Sequence, residues 1–394
     1  MGKHISPEKK HTTILVAFDW YDHRVYRGIA QYCKEHHWHL SPYCFSERII
    51  PVNWPGDGAI TCFGDIQGES ILGLDMPKVD VTLRDMPQQI PRVVVDNDLI
   101  GKKAASHFLK RGFKEFAYFS WGDVEINQIR KEAFINSLSD EGVTEDHIHI
   151  IHQPDECLIR DWKAHTEALI EQVKDLPRPL AVFTGQDNLG VTLVEACVDA
   201  GISVPEEIAV LGVDNIVFLC ECSVVPLSSI DTHLEDLGYA AAEQLGRLLS
   251  GEIDNSEPVR TVPPGDVINR RSTESIAISH IPVANALKLM RSKFKDNLTL
   301  EDVYEHVGLS KRGLEKAFKK HLNDSPASVL RQIRLNYAKK CLTQSDIKIE
   351  AIALECGYSN SSNLSHAFNR EIGIPPLEYR NRYRSPLFSS RNSN

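Results

Sequence analysis

Acidic, amide, cationic and aromatic side chains recur in this 394-residue chain directly after short apolar runs. Asp19-Trp20-Tyr21-Asp22 follows Phe18, Asp96-Asn97-Asp98 follows Val95, and Trp121 follows Ser120, with Arg130 further along the same segment. Gly185-Gln186-Asp187-Asn188 follows Thr184, and Asp214-Asn215 follows Val213. Such a set suits a small polyhydroxylated ligand such as a sugar. Asp, Asn and Arg can bond ring hydroxyls, while Trp and Tyr can stack on C–H faces. Asp19, Trp20, Tyr21, Asp96, Trp121, Arg130, Asp187 and Asp214 are therefore the candidate ligand contacts. Helix capping competes for several of these positions. Asp22, Asp98 and Asn188 all fit as N-caps, and capping is preferred at Asp22 and Asn188; Asp19, Asp96 and Asp214 fit ligand contact better.

A second set lies near the C-terminus, in IEAIALECGYSNSSNLSHAFNREIGIPPLEYR at residues 349–380. Ile349, Ile352, Ala353 and Cys356 share one helical face. Gly357 can end that helix because glycine tolerates a left-handed backbone, and Ser359 or Asn360 can cap the next one. Leu364 and Phe368 then mark a buried stripe. Ser361, Ser362, Ser365 and His366 are slender hydrogen-bonding residues suited to base edges in a major groove. The pattern Val303-x3-Val307-Gly308 recurs as Ile352-x3-Cys356-Gly357, 49 residues later. In the earlier copy Thr299 is the candidate cap, Leu314 and Phe318 form the buried stripe, and Lys311, Arg312, Glu315, Lys316 and Lys319 face outward. That face can combine phosphate contacts with base reading. Ser325 and Pro326 open a helix to about Leu342 that joins the copies. Two recognition helices held this way can enter successive major grooves, about 34 Å apart.

The elements that must position the first set follow a β-α alternation. Apolar runs at 13–18, 59–62, 92–96, 116–120, 148–151, 181–184 and 209–213 read as strands. Amphipathic stretches at 22–36, 98–111, 125–139, 164–173, 189–200 and 235–249 read as helices. Parallel, doubly wound sheets follow from this alternation, and the length suits two lobes. Ligands in such sheets bind beyond the carboxyl ends of the strands, where the candidate contacts lie. The expected plan is an N-terminal tail at 1–12, a two-lobed sensor at 13–273 and a linker at 274–283. An all-α domain at 284–384 follows, with helix-turn-helix units near 299–320 and 348–370, then a tail at 385–394.

Charge divides at the same boundary. Residues 284–394 hold 19 Lys and Arg against 11 Asp and Glu, a net +8, while the rest of the chain stands at −18. A basic module on an acidic body fits double-stranded DNA as the module's partner. The nine cysteines are scattered and odd in number, and no apolar run reaches membrane-spanning length. No secretion signal is read at the N-terminus, so a cytoplasmic protein with no membrane role is expected. P-loop, G-x-S-x-G, H-E-x-x-H and post-strand G-x-G-x-x-G motifs are all missing. Adjacent His36, His37 and His39 at a helix end point apart and read as a solvated terminus. No catalytic residue, metal ligand or cofactor is therefore assigned.

Residues 179–215, PLAVFTGQDNLGVTLVEACVDAGISVPEEIAVLGVDN, resemble the LacI/GalR sensor domain, as do VDND at 95–98 and RRST at 270–273. The resemblance implies a periplasmic-binding-protein-like fold, with two lobes joined by three crossovers and closing on a small ligand. It places Asp214 and Arg130 on sugar hydroxyls and Asp187 at the cleft, although Gln186 stands where that family often has Asn. The C-terminal region resembles the AraC/XylS family through Ile352-Ala353, Gly357-Tyr358, Leu364, Phe368, Gly373, Pro375 and Tyr379-Arg380. The combination is similar to the xylose-operon regulator group, as are residues 18–29 and 263–273. That likeness implies a sugar-responsive transcription activator of sugar-catabolism genes, with D-xylose as effector or, alternatively, another sugar or derivative. It also implies a homodimer that engages an operator and, as an activator, RNA polymerase. A sugar-binding protein without a DNA role would leave both helix-turn-helix units unexplained.

Overall fold

The computed structural model describes residues 11–41, 50, 54–122, 124–154, 160–274, 280–296, 298–322 and 324–383. Most of both expected tails and part of the expected linker lie outside the described residues. The chain divides into two compact units, at residues 1–275 and 276–394.

The first unit has two lobes. One is built on a parallel sheet of β1 (Thr13–Phe18), β2 (His39–Leu40), β3 (Gly58–Cys62) and β4 (Lys78–Asp80), in the order β2-β1-β3-β4. A bridge between Asp80 and Arg92 extends it toward β5 (Val93–Val95), which pairs in parallel with β11 (Arg260–Val262). Helices α1 (His23–Glu35), α2 (Gly68–Leu72) and α8 (Leu234–Leu249) accompany this lobe.

The other lobe begins with α3 (Asn97–Leu109), β6 (Glu115–Ser120), α4 (Glu125–Asp140), β7 (Ile148–His152) and α5 (Trp162–Val173). It continues through β8 (Leu180–Thr184), α6 (Asp187–Asp199), β9 (Ile208–Val213), α7 (Val217–Cys222) and β10 (Ser228–Ile230), and takes back β12 (Val267–Ile268). Its six strands run β12-β10-β9-β8-β6-β7, all parallel except the β10–β12 pair. Every residue of β8 and β9 is buried, as central parallel strands covered on both faces require. The chain thus passes between the lobes after Val95, after Ile230 and after Val262, which gives the three expected crossovers.

The expected strands and helices are present with ends shifted by a few residues. The short strands β2, β4 and β10 and the helices α2 and α7 are not expected from the sequence. They carry two to six residues each, too few to show a period. Close packing of α3 on α4 sets the register of the site. A Cβ at Gly101 would crowd the Arg130 carbonyl and the Ala133 side chain. Only glycine admits that approach, which brings Arg130 against Asn97.

The second unit is helical: α9 (Ile281–Lys293), α10 (Leu300–Val307), α11 (Lys311–Leu322), α12 (Pro326–Gln344), α13 (Ile349–Glu355), α14 (Ser361–Ile372) and α15 (Pro376–Tyr383). The expected linker therefore ends inside α9, whose first turn accepts Pro282 because an initial helical residue needs no N–H partner. Thr299 and Asp302 form a reciprocal capping box at α10. Ser325 caps α12, and Asn360, rather than Ser359, caps α14. Two cores result. Val303, Leu314, Phe318 and Leu330 belong to the first, and Leu335, Ile352, Leu364 and Phe368 to the second. The connecting helix α12 feeds both.

Candidate functional site

The carboxyl ends of β1 and β9 meet across the lobes. Asp22 caps α1 by accepting the Arg24 N–H, and its carboxylate also grips the Arg24 guanidinium at 3.0 and 2.7 Å. That guanidinium reaches the other lobe, donating to the backbone carbonyls of Asp214 and, at 3.4 Å, Asn215. Asp214 and Asn215 have φ of 101° and 49°. Positive φ is strained for any side-chain-bearing residue and marks a turn held by its surroundings. The Asp214 carboxylate accepts from Thr232 at 3.4 Å. Burial raises its pKa, opposed by the positive charges of Arg130 and Arg24. Arg130 is buried and fixed by two donations, from Nε to Asn97 Oδ1 at 2.8 Å and from Nη1 to the Gly185 carbonyl at 2.6 Å. Asn215 is itself anchored by Asp231 at 2.8 Å and by Arg270 at 2.9 Å.

Asp214 and Arg130 thus stand within electrostatic reach of each other, beside Asp22 and Arg24. Trp20 and Tyr21 stand on the same rim, 38% and 56% exposed. Trp20 stacks on Phe18 at 5.8 Å and donates to Cys62 Sγ at 2.8 Å, and Tyr21 packs on Tyr26. Trp121 is partly buried against the core of its own lobe, and its carbonyl accepts from Asn127. Asp19 has a local job: its two carboxylate oxygens accept the backbone N–H groups of Ile66 and Gln67.

Two further expected contacts, Asp96 and Asp187, take structural roles. Asp96 is the N-cap of α3, accepting from Leu99 N at 2.9 Å, while Asp98 lies in the first turn and pairs with Lys102. Asp187 is wholly buried in the first turn of α6, so neither it nor Asn188 is the cap, which falls at Gln186. Its carboxylate accepts from Ser229 Oγ at 2.6 Å, from Ile216 N at 2.7 Å and from Cys220 Sγ at 3.3 Å. Asp187 therefore braces the Asp214–Ile216 turn from beneath and does not face the cleft.

Burial, reinforced by the charge of Asp214, pushes the Asp187 carboxyl from 3.8 up to about 7. Between those values the folded state holds a proton that the unfolded state has released. The contribution of Asp187 to stability is then fully present below about pH 4 and is lost as pH rises toward 7, by about 1.4 kcal/mol per pH unit at most. Asp187→Asn cannot ionise, and its amide can donate to Ser229 while its oxygen accepts from Ile216. Thermal unfolding from pH 5 to pH 8 is expected to show a falling wild-type transition and a flatter one for the variant. Equal slopes would assign the titration to another group.

Sequence reasoning missed Arg24, Asn97, Asn127 and Gln67. Asn97 sits beside Asp96 and carried a signal. Arg24 did not, because its interlobe bond spans 190 residues. Gln67 Oε1 and Asn127 Oδ1 are buried acceptors without a protein donor, near the ends of β1 and β6. Hydroxyl donors from a ligand would satisfy such atoms.

In the second unit, Lys311, Arg312, Glu315 and Lys316 are exposed along α11. Ser362 and His366 are exposed on α14, with Ser361 and Ser365 half-exposed beside them. Leu314, Phe318, Leu364 and Phe368 point the other way, fully buried. Gly308 and Gly373 end α10 and α14 in the left-handed conformation. Tyr379 packs edge-on against Phe368 at 5.3 Å, and Arg380 donates to the Ile347 carbonyl at 2.7 Å. The last helix is thereby locked onto the second core.

Comparison with known proteins matches the same two units. A periplasmic binding protein-like domain matches residues 105–273, and a helix-turn-helix domain matches residues 303–382. The xylose operon regulatory protein of Haemophilus influenzae is 27% identical over 91% of this chain and 95% of its own length. That of Escherichia coli K12 is 27% identical over 94% and 97%. The solved structure of a xylose-binding transcription activator superimposes with a TM-score of 0.75 at 24% identity, covering 96% of this chain and all of that one. A LacI family regulator from Enterococcus faecium with bound ribose matches 68% of this chain and all of its own, with a TM-score of 0.52 at 19% identity. The chain joins a periplasmic binding protein-like sensor to an AraC-type helix-turn-helix DNA-binding domain, and it is a homologue of the xylose operon regulatory proteins.

Proposed function

We propose that this protein is a sugar-responsive transcription activator whose effector is D-xylose, bound between the sensor lobes and sensed by Asp214 and Arg130, with Trp20 and Tyr21 on the rim. Double-stranded operator DNA is its other partner. Lys311, Arg312, Glu315 and Lys316 serve one major groove, and Ser361, Ser362, Ser365 and His366 the next. It acts in the cytoplasm as a homodimer that engages RNA polymerase, and it is not an enzyme. Among the described residues no helix is long and apolar enough to cross a membrane.

The observation that carries the ligand class is charge compensation at the cleft. Asp22 neutralises Arg24, and Asp214 faces Arg130. An anionic ligand would have to displace one of these carboxylates, whereas an uncharged polyol can bond to all four groups. The choice of D-xylose rests on the relatives named above. A ligand shifts the sensor only by binding one arrangement better than another.

Thermal unfolding with D-xylose, L-arabinose, D-ribose, D-glucose, L-fucose and D-galactose tests this reading. A ligand at a hundredfold over its Kd stabilises the folded state by about 2.7 kcal/mol. For a domain of this size that is a shift of roughly 5–10 °C. D-xylose is expected to give it. A shift with a different sugar would keep the regulator and change the effector. No shift with any, in protein that still binds DNA, would overturn the sugar reading.

A further inference from the structure

The two helix-turn-helix units touch each other directly, in addition to sharing α12. Arg334 stands on α12 between Leu330, which belongs to the first core, and Leu335, which belongs to the second. Its Nη2 donates to the Leu298 carbonyl at 2.9 Å, and its Nε to the Phe294 carbonyl at 3.4 Å. Phe294 closes α9, and Leu298 leads into α10. Carbonyls at a helix C-terminus have no intrahelical partner and carry partial negative charge, which suits a guanidinium. The same guanidinium lies over the Tyr358 ring, 5.7 Å from its centre. One side chain on the connecting helix therefore touches the entry to the first unit and the turn of the second.

Three further contacts meet there. Gly357 has φ of 74°, and a Cβ on it would collide with the Phe294 carbonyl oxygen and come within 3.0 Å of Arg334 Nε. Phe294 packs edge-on to Tyr337 at 5.3 Å. Lys295 Nζ bonds the Tyr337 hydroxyl at 2.8 Å and sits 4.0 Å from that ring's centre. The backbone of the first unit is thus seated against the turn that launches α14, with no room for a side chain between them. A guanidinium is planar and bonds as a fixed fork, so it holds orientation as well as distance.

We infer that Arg334, with the Gly357–Tyr358 turn, is a positioning junction that sets the distance and phase between α11 and α14, and thereby the spacing of the two half-sites this protein reads. The inference rests on the DNA-binding role of this domain. Inserting one base pair moves a half-site by about 3.4 Å and rotates it by about 35°. A rigid junction cannot follow that change. A loosened one lets the first unit rock on α12 and accept it.

The test uses the full chain and a duplex selected by the wild-type protein from random DNA. Affinity is then measured for that duplex and for versions with one base pair added or removed between the half-sites. The wild type is expected to lose about tenfold or more on either change. Arg334→Ala is expected to bind the selected duplex more weakly and to lose less than about threefold on changing the spacing. Arg334→Lys, which can serve only one carbonyl well, should fall between them. A loss of packing stability alone would weaken binding to every duplex equally and leave the spacing penalty in place. If Arg334→Ala does not fold, Arg334→Lys and Tyr358→Leu carry the test. Variants that keep the full wild-type spacing penalty, or a wild type indifferent to spacing, would overturn the inference. Failure of the wild-type chain to select any duplex would overturn the DNA-binding role itself, a result separable from both.

Discussion

Asp214→Ala is expected to abolish the sugar-induced rise in unfolding temperature while leaving sugar-free DNA binding measurable. The carboxylate stands on a turn with positive φ, half-buried, with Arg130 behind it and Arg24 across the cleft. A charged acceptor contributes about 1.5–3 kcal/mol for each ligand hydroxyl it bonds. Two such bonds correspond to roughly 150-fold to 10⁴-fold in affinity, enough to remove any response at ordinary sugar concentrations. Alanine also leaves the Arg130 charge without its facing carboxylate. The fold should survive, because Arg130 keeps Asn97 and the Gly185 carbonyl, and the turn keeps the Arg24 bond to the residue 214 carbonyl. Asp214→Asn separates charge from shape: it retains an acceptor and should lose part of the response. Differential scanning fluorimetry over a D-xylose titration reads both variants. An unchanged midpoint shift in Asp214→Ala would remove this residue from the ligand site.

Asp214 and Asp187 show what strand-end reasoning can and cannot find. Both follow a buried strand, Asp214 immediately and Asp187 after two residues, and both carry the residue type a sugar needs. Position along the chain separates them no further. What does separate them is packing. Gly212 and Ser229 close over one oxygen of Asp187, and Ile216 and Cys220 bond to the other, so the carboxylate is enclosed and turned away from the cleft. Asp96 caps a helix for a local reason that the sequence does contain. It lies three residues before Leu99, whose N–H it accepts, and N-caps favour Asp at that spacing. Asp98, which also fits as a cap from sequence, lies two residues later, inside the helix.

The fold was more legible than the site because its signal is periodic. α11 and α14 read as helices since Leu314 with Phe318 and Leu364 with Phe368 recur at four, while β8 and β9, buried throughout, read as strands from short unbroken apolar runs within the β-α alternation. Arg24 belongs to the opposite case. Its position in the first turn of α1 says nothing about Asp214, because only closure of the two lobes brings them together. Arg334 likewise lies in a helix whose amphipathic pattern is weak, since that helix must serve two cores on different faces.

The repeated glycines give the sharpest contrast between motif and environment. Gly308 and Gly357 occupy equivalent places in the two helix-turn-helix units, and both have positive φ, 67° and 74°. Sequence alone assigns them equal roles. A Cβ at Gly308 would meet nothing within 4 Å, so Gly308→Ala is expected to carry only the left-handed penalty of about 1–2 kcal/mol. At Gly357 the same penalty is joined by a collision with the Phe294 carbonyl oxygen, a backbone atom fixed at the end of α9. Overpacking of this kind adds about 1–3 kcal/mol, and Gly357→Ala is therefore expected to lose about 2–5 kcal/mol in all. A domain with 5–15 kcal/mol in hand would be brought close to unfolding. Urea unfolding of the full chain, followed through the transition of the C-terminal unit, should rank Gly357→Ala well below Gly308→Ala. If Gly357→Ala folds by pushing Phe294 away, it must also loosen Arg334, and its DNA spacing penalty should fall with that of Arg334→Ala. The double variant would then be less than additive in both readouts, because each change breaks the same junction. Equal losses at the two glycines would mean that the units meet only through α12, and the junction would have no energetic content.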